Sequence, residues 1–398
     1  MSTELSSRMK NVSVSPTTAL FAKVDELKRQ GVDIISLNVG EPDFPTPENI
    51  KEAGIKAIKE NFTKYTTGNG IAPLREAVAK KVKADNNVSY EINEIAIMTG
   101  AKQALSCALM AIVGDGDEVI IPVPCYVSYP DMVKLSGGTP VLVERNEDFS
   151  LNLDAIEAAI TEKTKAVIVC SPDNPTGAVY SEESLRKLAA IAEKKDIFII
   201  SDEIYEKIIF GENKHFSIAS IPGMKDRTVM VNGFSKTYSM TGWRMGYVCA
   251  RKDVIAAAIK VQSQTTTTPP SISQMASVEA LTGPQDSVSM MVSEFEKRRD
   301  YVLKRLNEIP DVICKDIQGA FYAFFDVRKY IDTPGADGRV FASDKELCTY
   351  LLEEYHVATM PGSAYYAPGY VRISFASSLE VLKMAIDRIE MGLKAHKS

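Results

Sequence analysis

The sequence predicts an α/β fold: a large domain built on a mainly parallel central sheet, with a smaller α+β domain beside it. Three observations carry this expectation. Short β-branched runs alternate with helical patterns through the middle of the chain. The runs are apolar throughout rather than alternating, as strands covered on both faces should be. From about residue 290 the texture changes to charged helices around GAFYAFFDV and a late strand.

The predicted strands are Ile95–Met98, Glu118–Ile121, Pro140–Val143, Ala166–Cys170, Ile197–Ile200, Thr228–Val231 and Gly246–Ala250. The clearest helix among them is Ser181 to Lys195. Ser181 can cap it, Tyr180 and Leu185 can form a staple, and Leu185, Leu188, Ala189 and Ala192 share one face. Beyond residue 290, helices are expected at Val292–Asn307 and Asp344–Tyr355, and a strand at Tyr370–Phe375. A terminal helix opens with a capping box, Ser377 to Glu380, and buries Val381, Leu382, Ala385, Ile386 and Ile389. The first 45 residues, with Pro16, Pro42 and Pro45, should pack against this smaller part rather than join the large sheet. The expected division is 1–45 as an arm and part of the small domain, 46–290 as the large domain and 291–398 as the rest of the small one.

At 398 residues, 45% hydrophobic and 25% charged, the chain can bury a large core without disulfide or metal staples. Lys plus Arg is 46 against 52 for Asp plus Glu, a net charge of −6, which argues against a general nucleic-acid binder. Apolar runs are too short to cross a bilayer, and MSTELSSRMK lacks the apolar stretch of a signal peptide. The six cysteines form no CxxC pair and read as reduced core residues of a cytoplasmic protein. The three histidines form no HExxH cluster, so no zinc site is expected.

Four segments carry chemistry. In NGFSKTYSMTGWRMG (232–246), Lys236 leaves a buried strand at the edge where α/β ligands bind, and Arg244 follows eight residues on. A desolvated lysine beside another cation is a good imine-forming amine, and the arginine suits a phosphate; an exposed loop lysine is the bland alternative. In SDEIYEK (201–207), Asp202 sits at a buried strand end, where its charge needs a partner such as a pyridinium N–H, or else caps a helix. In SPDNPTG (171–177), two prolines stiffen a loop that holds Asn174 out from a strand end. In TGAKQAL (99–105), Gly100 opens a helix whose free amides could receive a phosphate.

Together these segments resemble one family, the class I pyridoxal-phosphate-dependent aminotransferases of fold type I, closest to the bacterial aspartate aminotransferase branch called subgroup Ib. The resemblance runs from about residue 13 to the end and includes LNVGEPDF, KYTTGNG, PCYVSYP, NPTG, SDEIY, SKTYSMTGWRMG and YVRISFA. It implies that Lys236 holds pyridoxal 5'-phosphate covalently and then moves the substrate proton. Asp202 would keep the ring nitrogen protonated, Tyr205 and Asn174 would bond the ring oxygen, and Tyr126 would stack on the ring. The phosphate would lie on the amides of Ala101 and Lys102, with Arg244, Ser235 and Tyr65 of a second subunit, which implies a homodimer; Gly233 replaces a phosphate-binding serine of some relatives. Arg372 would fork onto the substrate α-carboxylate near Gly40 and Asn174, and Lys102 would meet the distal carboxylate, with Ser15 and Thr17 tuning specificity.

The implied reaction is a ping-pong exchange between L-aspartate and 2-oxoglutarate. The same scaffold also serves aromatic amino acids, alanine, prephenate and lyase chemistry. A regulatory cofactor-binding module is disfavoured by the acidic charge. A nicotinamide enzyme is disfavoured because GNGIAP (68–73) is not GxGxxG.

Overall fold

The computed structural model describes residues 5–336 and 338–397, so the first four residues of the expected N-terminal arm lie outside them. Its centre is a seven-stranded sheet: β1 (Ile95–Met98), β2 (Glu118–Val123), β3 (Thr139–Glu144), β4 (Thr164–Cys170), β5 (Phe198–Asp202), β6 (Thr228–Gly233) and β7 (Gly246–Cys249). The spatial order is β1-β7-β6-β5-β4-β2-β3. Only β7 runs against its neighbours; the other pairings are parallel. All seven predicted strands form, five of them one or two residues longer than their apolar runs.

The parallel strands are buried because helices cover both faces. Helix Glu182–Lys195 shows how the sequence achieves this. The Ser181 hydroxyl accepts the Ser184 amide at 3.2 Å, glutamates fill the first turn and lysines the last, and Asp196 ends it in the left-handed region. These choices favour the helix dipole. Leu185, Leu188, Ala189 and Ala192 then seal against Val167, Val169 and Ile199 of the sheet.

A second, four-stranded antiparallel sheet is built from Ile313–Cys314, Tyr322–Asp326, Tyr370–Ser374 and Met360–Pro361. Helices Asp286–Asn307, Asp344–Glu353 and Leu379–Lys397 accompany it. The first of these starts six residues before the predicted Val292, because Gly283 and Pro284 break the chain just upstream and Asp286 suits a first turn. The terminal helix begins at Leu379, and its cap is Ser378, not Ser377: the Ser378 hydroxyl accepts the Val381 amide at 3.3 Å. Of two adjacent serines, the one three residues before the free amide does the capping.

The N-terminal segment divides: Ser13 bonds Asp131 of helix Tyr129–Leu135, beside the large sheet, while the helix and strand that follow join this second lobe. Ile35–Ser36 pairs in parallel with Val357–Ala358, and Val24 and Ile34 pack with Leu352 and Ala358. One apolar core runs from beneath helix Ala101–Ile112 to Phe321 and Phe325 of the small sheet, so the two sheets share a continuous interior.

Four strand ends define one edge. β1, β4, β5 and β6 all finish there, and TGAK, SPDNPTG, the turn after Asp202 and the loop 234–245 all leave from it. The single reversed strand matters here. It makes the β6–β7 connection a return loop rather than a helical crossover, so Lys236 and Arg244 are both delivered to the same edge.

Candidate active site

A cavity of about 390 Å³ opens at that edge, between the large sheet and the second lobe. Its walls include Gly40, Ala101, Lys102, Tyr126, Asn174, Asp202, Tyr205, Ser235, Lys236, Arg244 and Arg372. Every residue assigned a catalytic, cofactor or substrate contact from the sequence therefore lines it except Tyr65, which stands outside and is 88% exposed. Ser15 and Thr17 also reach the wall, from the start of helix Pro16–Arg29.

Lys236 is partly buried, and its ammonium donates to the Gly40 carbonyl. Desolvation, helped by the Arg372 and Arg244 charges, pulls its pKa down to about 8, against the opposing pull of Glu41 and Asp202. Near neutral pH a usable fraction is therefore free amine. Asp202 ends β5 on the cavity floor. Burial raises its pKa to about 6, while hydrogen bonds from the Tyr129 hydroxyl (2.7 Å) and the Ile204 amide (3.3 Å) favour the carboxylate. No α-helix follows Asp202; the chain makes a tight turn, so the helix-cap alternative does not hold. Tyr205 and Tyr322 share a hydroxyl hydrogen bond of 2.7 Å. Burial pushes Tyr205 well up and Tyr322 up to about 12, so both keep their protons.

At the phosphate-sized end, two glycines allow a close approach. Gly100, at φ 82°, precedes helix Ala101–Ile112, and a Cβ on it would lie 2.9 Å from the Arg244 guanidinium. A Cβ on Gly246 would collide with the Ala101 amide. The glycines thus bring the Arg244 charge beside the first amides of the helix, a donor set that fits a phosphate monoester. Arg244 is itself anchored to the Thr241 carbonyl at 2.8 Å.

Opposite stands Arg372, only 3% exposed. It donates to Asn174 Oδ1 at 3.1 Å and to the Asn38 carbonyl at 2.7 Å. Its guanidinium lies 4.4 Å from the Tyr322 ring centroid and 4.9 Å from that of Tyr365. Among the described residues no carboxylate pairs with it, and its Nε has no partner. A buried guanidinium without a counter-ion fits an incoming carboxylate. Lysine amine, buried aspartate, phosphate cradle and carboxylate fork form the donor set that a phosphorylated pyridine aldehyde and an amino acid need together.

Comparison with known proteins settles the family. The profile described as "Aminotransferase class I and II" matches residues 32–389. The chain belongs to the class I and II aminotransferases.

The named relatives agree. A probable aspartate/prephenate aminotransferase of Rickettsia felis is 47% identical over 390 residues, 97% of this chain and 95% of that one. The aspartate aminotransferase structure from Rhizobium meliloti superposes with a TM-score of 0.95 at 40% identity, covering 99% of this chain and 100% of its own. The Thermus thermophilus aspartate aminotransferase with maleate gives 0.93 at 40% identity, over 98% and 100%. The protein is an aminotransferase of fold type I.

Several parts of this aminotransferase site escaped the sequence reading. Tyr322 opens the strand YAFFD, buried over its first four residues, where nothing distinguishes its hydroxyl from the surrounding apolar bulk. Tyr129 was visible only as part of PCYVSYP, yet it bonds Asp202 directly. Glu41, hydrogen-bonded by the Thr241 hydroxyl, clasps the N-terminal segment to the Lys236 loop. Tyr126 is half-buried, edge-on to Tyr129 at 5.4 Å, with the Lys102 ammonium 5.6 Å from its ring centroid. Gly40 gains a reason that sequence did not give: a Cβ there would strike the Tyr322 hydroxyl. Gly40→Ala is therefore expected to push Tyr322 off Tyr205 and to raise the amino-acid KM about tenfold, for about 1–3 kcal/mol of overpacking. Steady-state kinetics alongside a melting curve would check this.

Proposed function

We propose that this aminotransferase uses pyridoxal 5'-phosphate to exchange amino groups between L-aspartate and 2-oxoglutarate in a ping-pong cycle. The observation that carries the reading is Arg372, a buried guanidinium with no carboxylate partner among the described residues, on the wall of the cavity that holds the desolvated Lys236 amine. The cofactor, when bound, supplies an electron sink for the bond pair released as the substrate Cα–H breaks.

The chain's residues do the rest. Asp202 holds a proton on the ring nitrogen, oriented by the Tyr129 hydroxyl. Tyr205 keeps its proton and donates to the ring oxygen, joined by the Asn174 amide, whose carbonyl oxygen is already turned to Arg372. Ser235, Arg244 and the amides of Ala101 and Lys102 hold the phosphate, and Tyr126 is assigned the ring face. Lys236 Nζ would take the proton from the substrate Cα and deliver it to the carbon on the far side of the amino nitrogen. Arg372 grips the α-carboxylate as a fork, which fixes the Cα–H bond for that transfer.

Lys102 is assigned the distal carboxylate. The Thermus thermophilus relative was solved with maleate, a four-carbon dicarboxylate, which supports an acidic substrate. Lys102→Ser is expected to lower kcat/KM for aspartate by about 10–100-fold, as a lost charge-assisted hydrogen bond of ~1.5–3 kcal/mol implies. Alanine or phenylalanine should change little. Equal losses on all donors would remove Lys102 from substrate selection. A second reading, prephenate as a partner substrate, draws on the name of the Rickettsia felis relative; prephenate also carries two carboxylates for the same two cations.

The exposed Tyr65 is proposed to serve the phosphate of a second subunit in a homodimer. The six free, buried cysteines suit a reducing cytoplasm. Residues 1–45 with 291–398 are proposed as the lobe that carries Arg372 and closes over substrate, and 46–290 as the lobe that carries Lys236. The deciding experiment is the visible spectrum with pyridoxal phosphate. L-Aspartate alone should bleach the bound band to the pyridoxamine form, and 2-oxoglutarate should restore it. A band that ignores aspartate would overturn the substrate assignment.

A further inference from the structure

A second group of buried ionisable side chains lies on the far side of β5 from the cavity. Strand geometry sends successive side chains to opposite faces. Asp202 faces the cavity, while Ser201 and Glu203 face helix Ala72–Asn86. The Glu203 carboxylate accepts four hydrogen bonds: from the hydroxyls of Ser201 (2.9 Å) and Ser217 (2.7 Å), from Asn86 Nδ2 (2.9 Å) and from His215 Nε2 (2.9 Å). Asn86 Nδ2 also donates to Glu206 at 2.7 Å, and the other Glu206 oxygen pairs with Lys81. Lys81 in turn donates to Asn86 Oδ1 at 2.8 Å.

With both glutamates ionised, the charges in this group need one further positive. Glu203 and Glu206 carry two negatives and Lys81 one positive. Asp85, farther out, is paired with Lys207 at 2.9 Å and also stands 3.6 Å from Lys81, and Glu94 is paired with Lys225 at 2.7 Å. Tyr90, Tyr238, Tyr247 and Cys249 feel the same carboxylates but are pushed up by burial and stay neutral. A neutral His215 would leave one buried negative charge uncompensated, one residue from Asp202. A protonated His215 closes the sum. Desolvation opposes that proton and so does Lys81, yet Glu203 and Glu206 outweigh them and hold the imidazole above its usual range. Glu203, Glu206 and His215 also sit within 4.8 Å of one another, as metal ligands would, but Lys81 already supplies a cation at Glu206.

We propose that His215, protonated and bonded to Glu203, is a positioning residue for the transfer reaction: the pair pins the end of β5 and cancels the charge behind it, so that Asp202 remains a carboxylate facing the cavity. The proposal rests on the cofactor reading above. Its physical force lies in a narrow margin. Burial already brings Asp202 to about 6, and the Glu203 charge pushes in the same direction. Uncompensated, that charge would let Asp202 take a proton near neutral pH and lose its hold on a cationic ring nitrogen.

The test uses His215→Gln, which can keep the hydrogen bond to Glu203 and removes the charge. The dissociation constant of pyridoxal phosphate is read from quenching of Trp243, the chain's one tryptophan, across pH, and the pH profile of kcat/KM is measured beside it. Cofactor binding is expected to weaken about fivefold near pH 6 and to approach tenfold below it, one unit's displacement of the acid limb, and to be unchanged at alkaline pH. The double variant Glu203→Gln with His215→Gln removes one charge of each sign and should bring the limb back. Losses equal at every pH, with no rescue in the double variant, would overturn the proposal in favour of plain structural support. An unshifted limb in His215→Gln would overturn it too. If the variants fail to fold, imidazole NMR of the wild-type protein decides, with His356→Gln and His396→Gln for assignment: a His215 ring neutral at pH 7 overturns the idea. A wild-type chain that binds no pyridoxal phosphate at any pH would sink the cofactor reading instead, a distinct result.

Discussion

Lys236→Ala is expected to lower turnover by about 10⁴-fold or more while leaving the fold and much of the cofactor affinity in place. Two functions disappear at once: the covalent hold on the cofactor and the base that carries the Cα proton. The amine is poised for both because burial and two neighbouring guanidinium groups depress its pKa to about 8. Phosphate and ring contacts do not depend on it, since Arg244, Asp202 and Tyr205 reach the cavity from other positions. The variant should therefore still bind pyridoxal phosphate, but without a borohydride-reducible link. A small free amine such as methylamine should restore part of the proton transfer. Turnover, reduction trapping and rescue read the three consequences separately; near-normal turnover would remove Lys236 from the mechanism.

Arg372→Lys should cost about 10²–10³ in kcat/KM for every amino donor alike. The charge survives the change, yet three features of the arginine do not. Its fork is fixed by Asn174 and the Asn38 carbonyl, its plane lies over the Tyr322 ring, and its second edge is left for a bidentate partner. Lysine offers a single mobile point charge, and disturbing a buried charge contact costs ~2–5 kcal/mol. The loss should be uniform across donors, because every amino acid carries the α-carboxylate. That uniformity separates Arg372 from Lys102, whose removal should be felt by dicarboxylates alone. Steady-state kinetics with aspartate, alanine and phenylalanine compare the two; a loss confined to aspartate would reassign Arg372 to the distal end.

Much of this architecture is legible in the residues, for a physical reason. Strands buried on both faces must be apolar throughout, so IAIM, AVIVC and TVMV announce themselves and place the strand ends within a residue or two. Lysine, aspartate and arginine at such ends are costly unless used, which is why Lys236 and Asp202 stand out. The same double burial hides Tyr322: in a strand with no exposed face, position does not reveal which side meets a cavity. Glu41 and Tyr129 were hidden differently, since their partners, Thr241 and Asp202, lie 200 and 73 residues away. His215 and Glu203 form a contact across 12 residues of irregular chain, which no periodicity marks.

The pairing of Ile35–Ser36 with Val357–Ala358 has a consequence for how a cell makes this enzyme. Synthesis proceeds from the N-terminus, and every strand of the large sheet has been made by residue 249. The strand carrying Arg372, and the partner that Ile35 needs, leave the ribosome more than a hundred residues later. A nascent or truncated chain can thus possess the lysine, the aspartate and the phosphate cradle while lacking the group that orients an amino acid. Chemistry on bound substrate waits for residues 370–374 to be made, and the early segment that pairs with 357–358 must stay unpaired until those arrive.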